Sequence, residues 1–366
     1  MRILHFFPKD DSMISQYVTM LHESMGLECS NEMVTDAKEA QKNLCSSHYD
    51  ILHIHGCWNS SLYFVAKQAI KSHTRIVLSP HGQLEPWIVN DNYWNEKLPK
   101  QILFLKKLVQ HSYVVIIQGK MEEESMNRLG WNPRTIIIKN ALVTHAITRQ
   151  EMARQIFHVY RKVMDSNQLE LMDEEMKNTM QQVIMAGITA DQQWLPEKGL
   201  HTAPDTLEKW RLLLLYAHQE HITEIIQRGI QVLNYDAPDF DASKVDCFLP
   251  SGYEEPHSIE SIIGISFVSE NDRLIATFKH LRKLVLRRQI AMMHLIELDK
   301  ELRLHECEED RLCERLSEIN LLKFAGRLMQ VMSDMTGLTE GYMPVPPLDD
   351  RIAKKIRLQV ENRLKI

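Results

Sequence analysis

The sequence predicts an α/β protein with a Rossmann-like N-terminal domain, a smaller second α/β unit and a helical C-terminal region. Three observations predict it. Short apolar runs of strand length alternate with helical stretches over residues 1–147, apolar runs recur between 183 and 269, and amphipathic helix takes over from residue 270. Alternation of this kind implies right-handed crossovers and a parallel sheet.

Taken in order, residues 3–7 read as a first buried strand, 12–25 as a helix, 49–54 as a strand, 60–71 as a helix and 75–78 as a third strand. Residues 113–117 and 135–138 are the fourth and fifth strands, with a helix over 121–129 between them and Lys139-Asn140 as the exit loop. Residues 148–182 are charged, rich in Met and Gln and almost free of Gly and Pro, so they favour a helical linker. The runs 183–187, 210–216, 230–233 and 262–268 are the expected strands of the second α/β unit, 183–269. In the helical region 270–366, Leu274, Phe278, Leu281 and Val285 form an apolar stripe. Its start is basic, with Lys279, Arg282, Lys283, Arg287 and Arg288, and a solvated helix flank is the simplest role for them. Glu306, Glu308, Glu309 and Asp310 make the following stretch acidic, so neighbouring helices can pair charge against charge. A Gly- and Pro-punctuated connector over 336–350 precedes a last helix at 351–364.

The composition is that of a globular chain: 366 residues, 44% hydrophobic, 25% charged. A formal net charge of -6 gives no global reason to expect nucleic acid as a partner. Six cysteines without a Cys-x-x-Cys pair point to reduced thiols and a cytoplasmic setting. The opening apolar run is interrupted by Lys9, Asp10 and Asp11, too soon for a secretory signal. No apolar run approaches the roughly 20 residues needed to cross a bilayer, which leaves peripheral membrane association as the only membrane contact expected.

Two motifs carry the functional signal. His53-Ile54-His55-Gly56-Cys57-Trp58 and Ser79-Pro80-His81-Gly82-Gln83-Leu84-Glu85-Pro86-Trp87 each follow an apolar strand, where open α/β sheets bind ligands. Imidazole, glycine, carboxylate and indole at such loops supply proton transfer, close backbone approach, hydrogen bonding and a flat apolar wall, which suits a sugar. His53 and His55 also fit as loop-organising hydrogen-bond partners, and Trp58 and Trp87 as covers for a sheet edge. Glu122, Glu123 and Glu124 most simply form the solvated first turn of a helix.

Those residues resemble the N-terminal, acceptor-side domain of family 4 glycosyltransferases, retaining enzymes of the GT-B architecture. The resemblance covers DILHIHGCW (50–58), LSPHGQLEPW (78–87), VVIIQGKMEEESMNRLGW (114–131) and IIIKNALV (136–143), in order. It implies two Rossmann-like domains, and transfer of a hexose from a nucleotide-sugar co-substrate to a saccharide or lipid-linked acceptor, without metal or other cofactor. By that resemblance His81 is the catalytic candidate, while His55, Gly56, Trp58, Gly82, Glu85, Trp87 and Asn140 line the acceptor side. Lys198 would hold the donor diphosphate, with polysaccharide biosynthesis as the setting.

The sequence departs from the family in three places. No glycine follows the first strand, Ile188 stands where the family has a diphosphate-gripping arginine, and Glu254, Glu255 and Glu260 lack the family's glutamate spacing. Two readings follow: an active glycosyltransferase, or a catalytically inactive derivative that binds saccharide and assembles with a partner through its helical region.

Overall fold

In a computed structural model of the chain, the structure describes residues 1–9, 12–26, 29–190, 202–249 and 266–362. The chain divides into two compact units, one ending at Ser166 and the other beginning at Asn167. Among the described residues, no helix is long and apolar enough to cross a membrane.

The first unit is built on a six-stranded, all-parallel sheet in the order β2-β1-β3-β4-β5-β6. Its strands are β1 (Arg2–Phe6), β2 (Ser30–Val34), β3 (Ile51–His55), β4 (Arg75–Ser79), β5 (Val114–Ile117) and β6 (Thr135–Ile137). The order reverses direction between β1 and β3, which makes the carboxyl ends of those two strands the topological switch point. Helices α1 (Ser12–Met25), α2 (Ala37–Ser46) and α3 (Ser60–Lys71) connect the first four strands. Asp36 caps α2 by accepting from the Glu39 amide, and Asn59 caps α3 by accepting from the Ser61 amide.

The expected five strands are all present, and β2 with α2 is an addition. β2 is Ser-Asn-Glu-Met-Val, with a single buried residue, Val34. An edge strand needs no apolar alternation, because only one side of it is paired and little of it is covered. Between β4 and β5 the chain forms α4 (Pro86–Asn90), α5 (Leu98–Lys100) and α6 (Lys106–His111), joined by two π-helical turns, Tyr93–Lys97 and Gln101–Leu105. After β5 comes α7 (Lys120–Leu129), ended by Gly130 in the left-handed region at φ 59.

Parallel register places His5 beside His53, and His55 beside Ser79, on one face of the sheet. The other face is apolar: Leu4, Phe6, Leu52, Ile54, Ile76 and Leu78 pack with Leu62, Val65 and Leu108 into one core cluster. Fully burying each such side chain contributes about 1.5–3 kcal/mol.

The helix α8 (Arg149–Met164), capped by Thr148, closes the first unit. It was expected to open a linker over 148–182, and its position corrects that boundary. Buried Arg75 on β4 donates from Nη1 to the carbonyls of Val163, Met164 and Ser166 at the end of α8. A guanidinium at a helix C-terminus satisfies carbonyls that have no partner within the helix. That clamp ties α8 to the sheet and puts the boundary at Ser166.

The second unit is helical wherever it is described outside its loops and short 3-10 turns. Its helices are α9 (Glu174–Thr189), α10 (Leu207–Gln219), α11 (Thr223–Val232), α12 (Glu270–Arg287), α13 (Met292–Leu304), α14 (Glu309–Glu318), α15 (Leu322–Thr336) and α16 (Arg351–Glu361). The expected strands at 183–187, 210–216 and 230–233 fall within or at the ends of α9, α10 and α11, so this part of the second α/β unit is corrected to helix. The run expected at 262–268 lies mostly outside the described residues. Short apolar runs do not distinguish a buried strand from a buried helix, and here Trp210, Leu213 and Ala217 bury one helical face.

Close approach explains the glycines. A Cβ on Gly187 would lie 2.1 Å from the Ile225 carbonyl oxygen, and one on Gly229 2.0 Å from that of Val183. The backbones of α9 and α11 therefore touch. Gly187 serves helix packing, not a phosphate loop, and Ile188 belongs to the same helix. The expected helices at 271–335 and after 351 are present, with Leu274, Phe278 and Leu281 buried. Arg282, Lys283, Arg287 and Arg288 are exposed, as a solvated flank requires.

Candidate functional site

The carboxyl ends of β3 and β4 place the two motifs side by side. At the first turn, Gly56 has φ +87 and donates its amide to the Ser79 carbonyl at 2.8 Å. At the second, His81 has φ 57 and Gly82 φ +80, so the chain reverses tightly over the sheet end. Gln83 then bridges the loops, its Oε1 accepting from the Cys57 amide at 2.8 Å and its carbonyl from Trp58 Nε1 at 2.9 Å. Gln83 was not singled out from sequence, since a glutamine in a loop carries no spacing signal.

Beneath these loops runs a row of imidazoles. His55 Nδ1 lies 2.9 Å from His81 Nε2, and His55 Nε2 lies 3.0 Å from His5 Nδ1. His81 Nδ1 is 3.0 Å from Gln118 Nε2. His53 bonds separately, to Tyr160 Oη at 2.5 Å and Ser79 Oγ at 2.7 Å. With the Gln118 amide donating to His81, a neutral ring leaves His81 Nε2–H to donate to His55, and His55 Nε2–H to donate to His5. His5 Nε2 ends the row fully buried and without a hydrogen-bond partner.

Desolvation keeps all four rings neutral. Burial lowers His5 and His81 from 6.5 to about 3, and holds His53 and His55 well below that ordinary value. His81 as a residue is only partly buried, but both its ring nitrogens are engaged inward. In this arrangement His81, the catalytic candidate by resemblance, anchors the loop and presents no free ring nitrogen to a hydroxyl. His55 is wholly interior. The groups left accessible are those further along the loops.

Glu85 and Trp87 remain at the surface. Trp87 Nε1 donates to Glu85 Oε2 at 2.6 Å, and 64% of Trp87 is exposed. Trp58 is half-buried, with Lys97 Nζ 4.6 Å from its ring centre. Glu122 corrects an expectation: it is fully buried rather than solvated, and accepts from the amides of Gln118 at 3.0 Å and Leu84 at 3.4 Å. Burial raises its pKa while those backbone donors oppose the rise. It braces the β4 loop against the start of α7.

Asn140 is not brought to the motifs. It follows β6, two strands from β4, and its Oδ1 accepts from the Leu142 amide at 2.9 Å within its own turn. A separate cavity of about 650 Å³ opens there, lined by Lys139, His145 and Glu151. Lys198, with Glu254, Glu255 and Glu260, lies outside the described residues.

Sequence reasoning missed His5, Tyr160 and Gln118, which join the row from distant positions. His5 alone had a readable sign, a histidine inside an apolar strand. One nitrogen from each of His5, His53 and His55 lies within 4.8 Å of the others, a grouping able to hold a metal ion. No family model, curated protein or solved structure matches the chain.

Proposed function

We propose that the first unit binds a saccharide at the carboxyl ends of β3 and β4, and that the chain acts as a binding protein on a glycosyltransferase-like acceptor domain. The observation that carries this reading is the Glu85–Trp87 pair. An exposed indole normally costs solvation without return, but here its N–H is fixed by a carboxylate, so its flat face is oriented before any ligand arrives. A pyranose ring offers C–H groups to such a face and hydroxyls to the adjacent carboxylate. The neutral imidazole row and Gln83 hold the two loops that present the pair.

Binding is favoured over transfer because segments expected to supply donor-side strands, 183–187 and 210–216, are helical. The transferase reading keeps its own support in the four ordered motif matches, and its diphosphate candidate Lys198 lies outside the described residues. Calorimetric titration of the full chain with neutral oligosaccharides and with UDP- and GDP-sugars separates the readings. Saccharide binding that weakens at least about tenfold in Trp87→Ala, with unchanged melting temperature, is expected, as loss of about 1.4 kcal/mol of stacking predicts. Binding of a nucleotide sugar followed by its turnover would establish transfer instead. Failure of every saccharide to bind would remove the proposal.

A further inference from the structure

The imidazole row is an expensive way to fill a core. Leucine or methionine would pack the same face without desolvating four rings or leaving a nitrogen without a partner, and a buried unsatisfied polar atom costs about 1–3 kcal/mol. His5, His53 and His55 lie on one face of β1 and β3, all fully buried. Saccharide binding uses none of them directly. Some other interaction should offset their cost.

We propose that His5, His53 and His55 form a binding site for a divalent transition metal of the Zn²⁺, Co²⁺ or Cu²⁺ class. Neutral imidazole is the preferred ligand of these ions, and three such rings with no carboxylate disfavour Mg²⁺ and Ca²⁺. His5 Nδ1 and His55 Nε2 are 3.0 Å apart, and tetrahedral bonds of roughly 2.0–2.1 Å need that separation to grow by only a few tenths of an ångström. The third donor nitrogen, from His53, is within 4.8 Å of the others, so a turn of that ring completes the set. His5 can offer either nitrogen, because its Nε2 has no hydrogen bond to lose.

The surrounding partners suit a coordinated state. A ligating histidine usually passes its second N–H to an acceptor, and His81 Nε2 stands ready for His55 while Ser79 Oγ stands ready for His53. His53 then ligates through Nδ1, which Tyr160 Oη, now 2.5 Å away, must release, and a water or the displaced hydroxyl is the remaining ligand. Coordination through His55 Nε2 has a distinct consequence. His55 must then carry its proton on Nδ1 and donate to His81 Nε2, so His81 must carry its own on Nδ1 and face the Gln118 amide oxygen. The ion thus reverses the polarity of the whole row.

The test uses the full chain, stripped with chelator and dialysed against Zn²⁺ or Co²⁺. The proposal expects one ion per chain, ligand-field absorption with Co²⁺, and a melting temperature that rises with free Zn²⁺. His5→Leu should abolish all three while its metal-free melting temperature stays level or rises. Nitrogen-15 NMR of the wild type should show the His81 proton moving from Nε2 to Nδ1 on zinc addition. Uptake by the wild type no greater than by folded His5→Leu overturns the proposal. Should His5→Leu not fold, a His81 tautomer that zinc leaves unchanged overturns it equally. Saccharide binding is measured separately, so loss of one proposal leaves the other standing.

Discussion

At the residue scale, the imidazoles are buried because their strand positions face α1 and α8, and burial makes them neutral. Lowered to about 3 by burial in the folded state and ordinary at about 6.5 when unfolded, His5 and His81 bind fewer protons folded than unfolded between those limits. His53 and His55 shift the same way. Stability is therefore fully present above the unfolded value and falls as pH drops below it, by up to about 1.4 kcal/mol per pH unit for each fully shifted ring. Urea melts of metal-free protein across the mildly acidic range should show this decline, and His5→Leu should make it shallower. Parallel slopes in the two proteins would show that His5 titrates normally. His53 and His55, expected in a loop after the strand, lie within β3 and project to one face, since alternate strand residues project together. The engagement of His55 by His5, of His53 by Tyr160 and of His81 by Gln118 was not legible, because those partners come from β1, α8 and the end of β5.

At the element scale, strands flanked by turn residues and paired on both sides were legible, and the polar edge strand β2 was not. The second unit shows the opposite failure. Its apolar runs lack two-residue alternation, and only tertiary burial on one helical face decides their state. The α9–α11 crossing gives a sharp prediction: Gly187→Ala should destabilise the second unit by about 3 kcal/mol or more, since its Cβ would meet backbone rather than a flexible side chain. Gly341→Ala, with nothing within 4 Å of its Cβ, should change stability by no more than about 0.5 kcal/mol. Denaturant midpoints of the two variants check both, and equal midpoints would contradict the crossing.

At the scale of the whole molecule, the Arg75 clamp defines where the first unit ends. A chain of residues 1–166 should fold alone with one cooperative transition, whereas 1–147 should not, because it removes α8 and exposes buried Arg75 and His53. Comparable melting of the two fragments by circular dichroism would place the boundary back near 147. A lesser consequence concerns charge: Asp272 on α12 pairs with Arg315 on α14 at 2.7 Å, the reverse of the basic-to-acidic pairing expected for these helices. Partly exposed pairs of this kind contribute little, so regional charge did not choose the packing.

By itself the sequence determined the parallel sheet of the first unit, the placement of each motif beside a strand's carboxyl end, and the helices beyond residue 270. Strand period, turn glycines and helical stripes are local properties, and local properties survive reading one residue at a time. Tertiary structure alone decided that His81 is held at both nitrogens, that Glu122 is buried, that α8 belongs to the sheet and that residues 183–187 are helical. Each depends on which distant surface excludes water from a side chain or backbone, and burial of that kind is settled only when the chain has closed on itself.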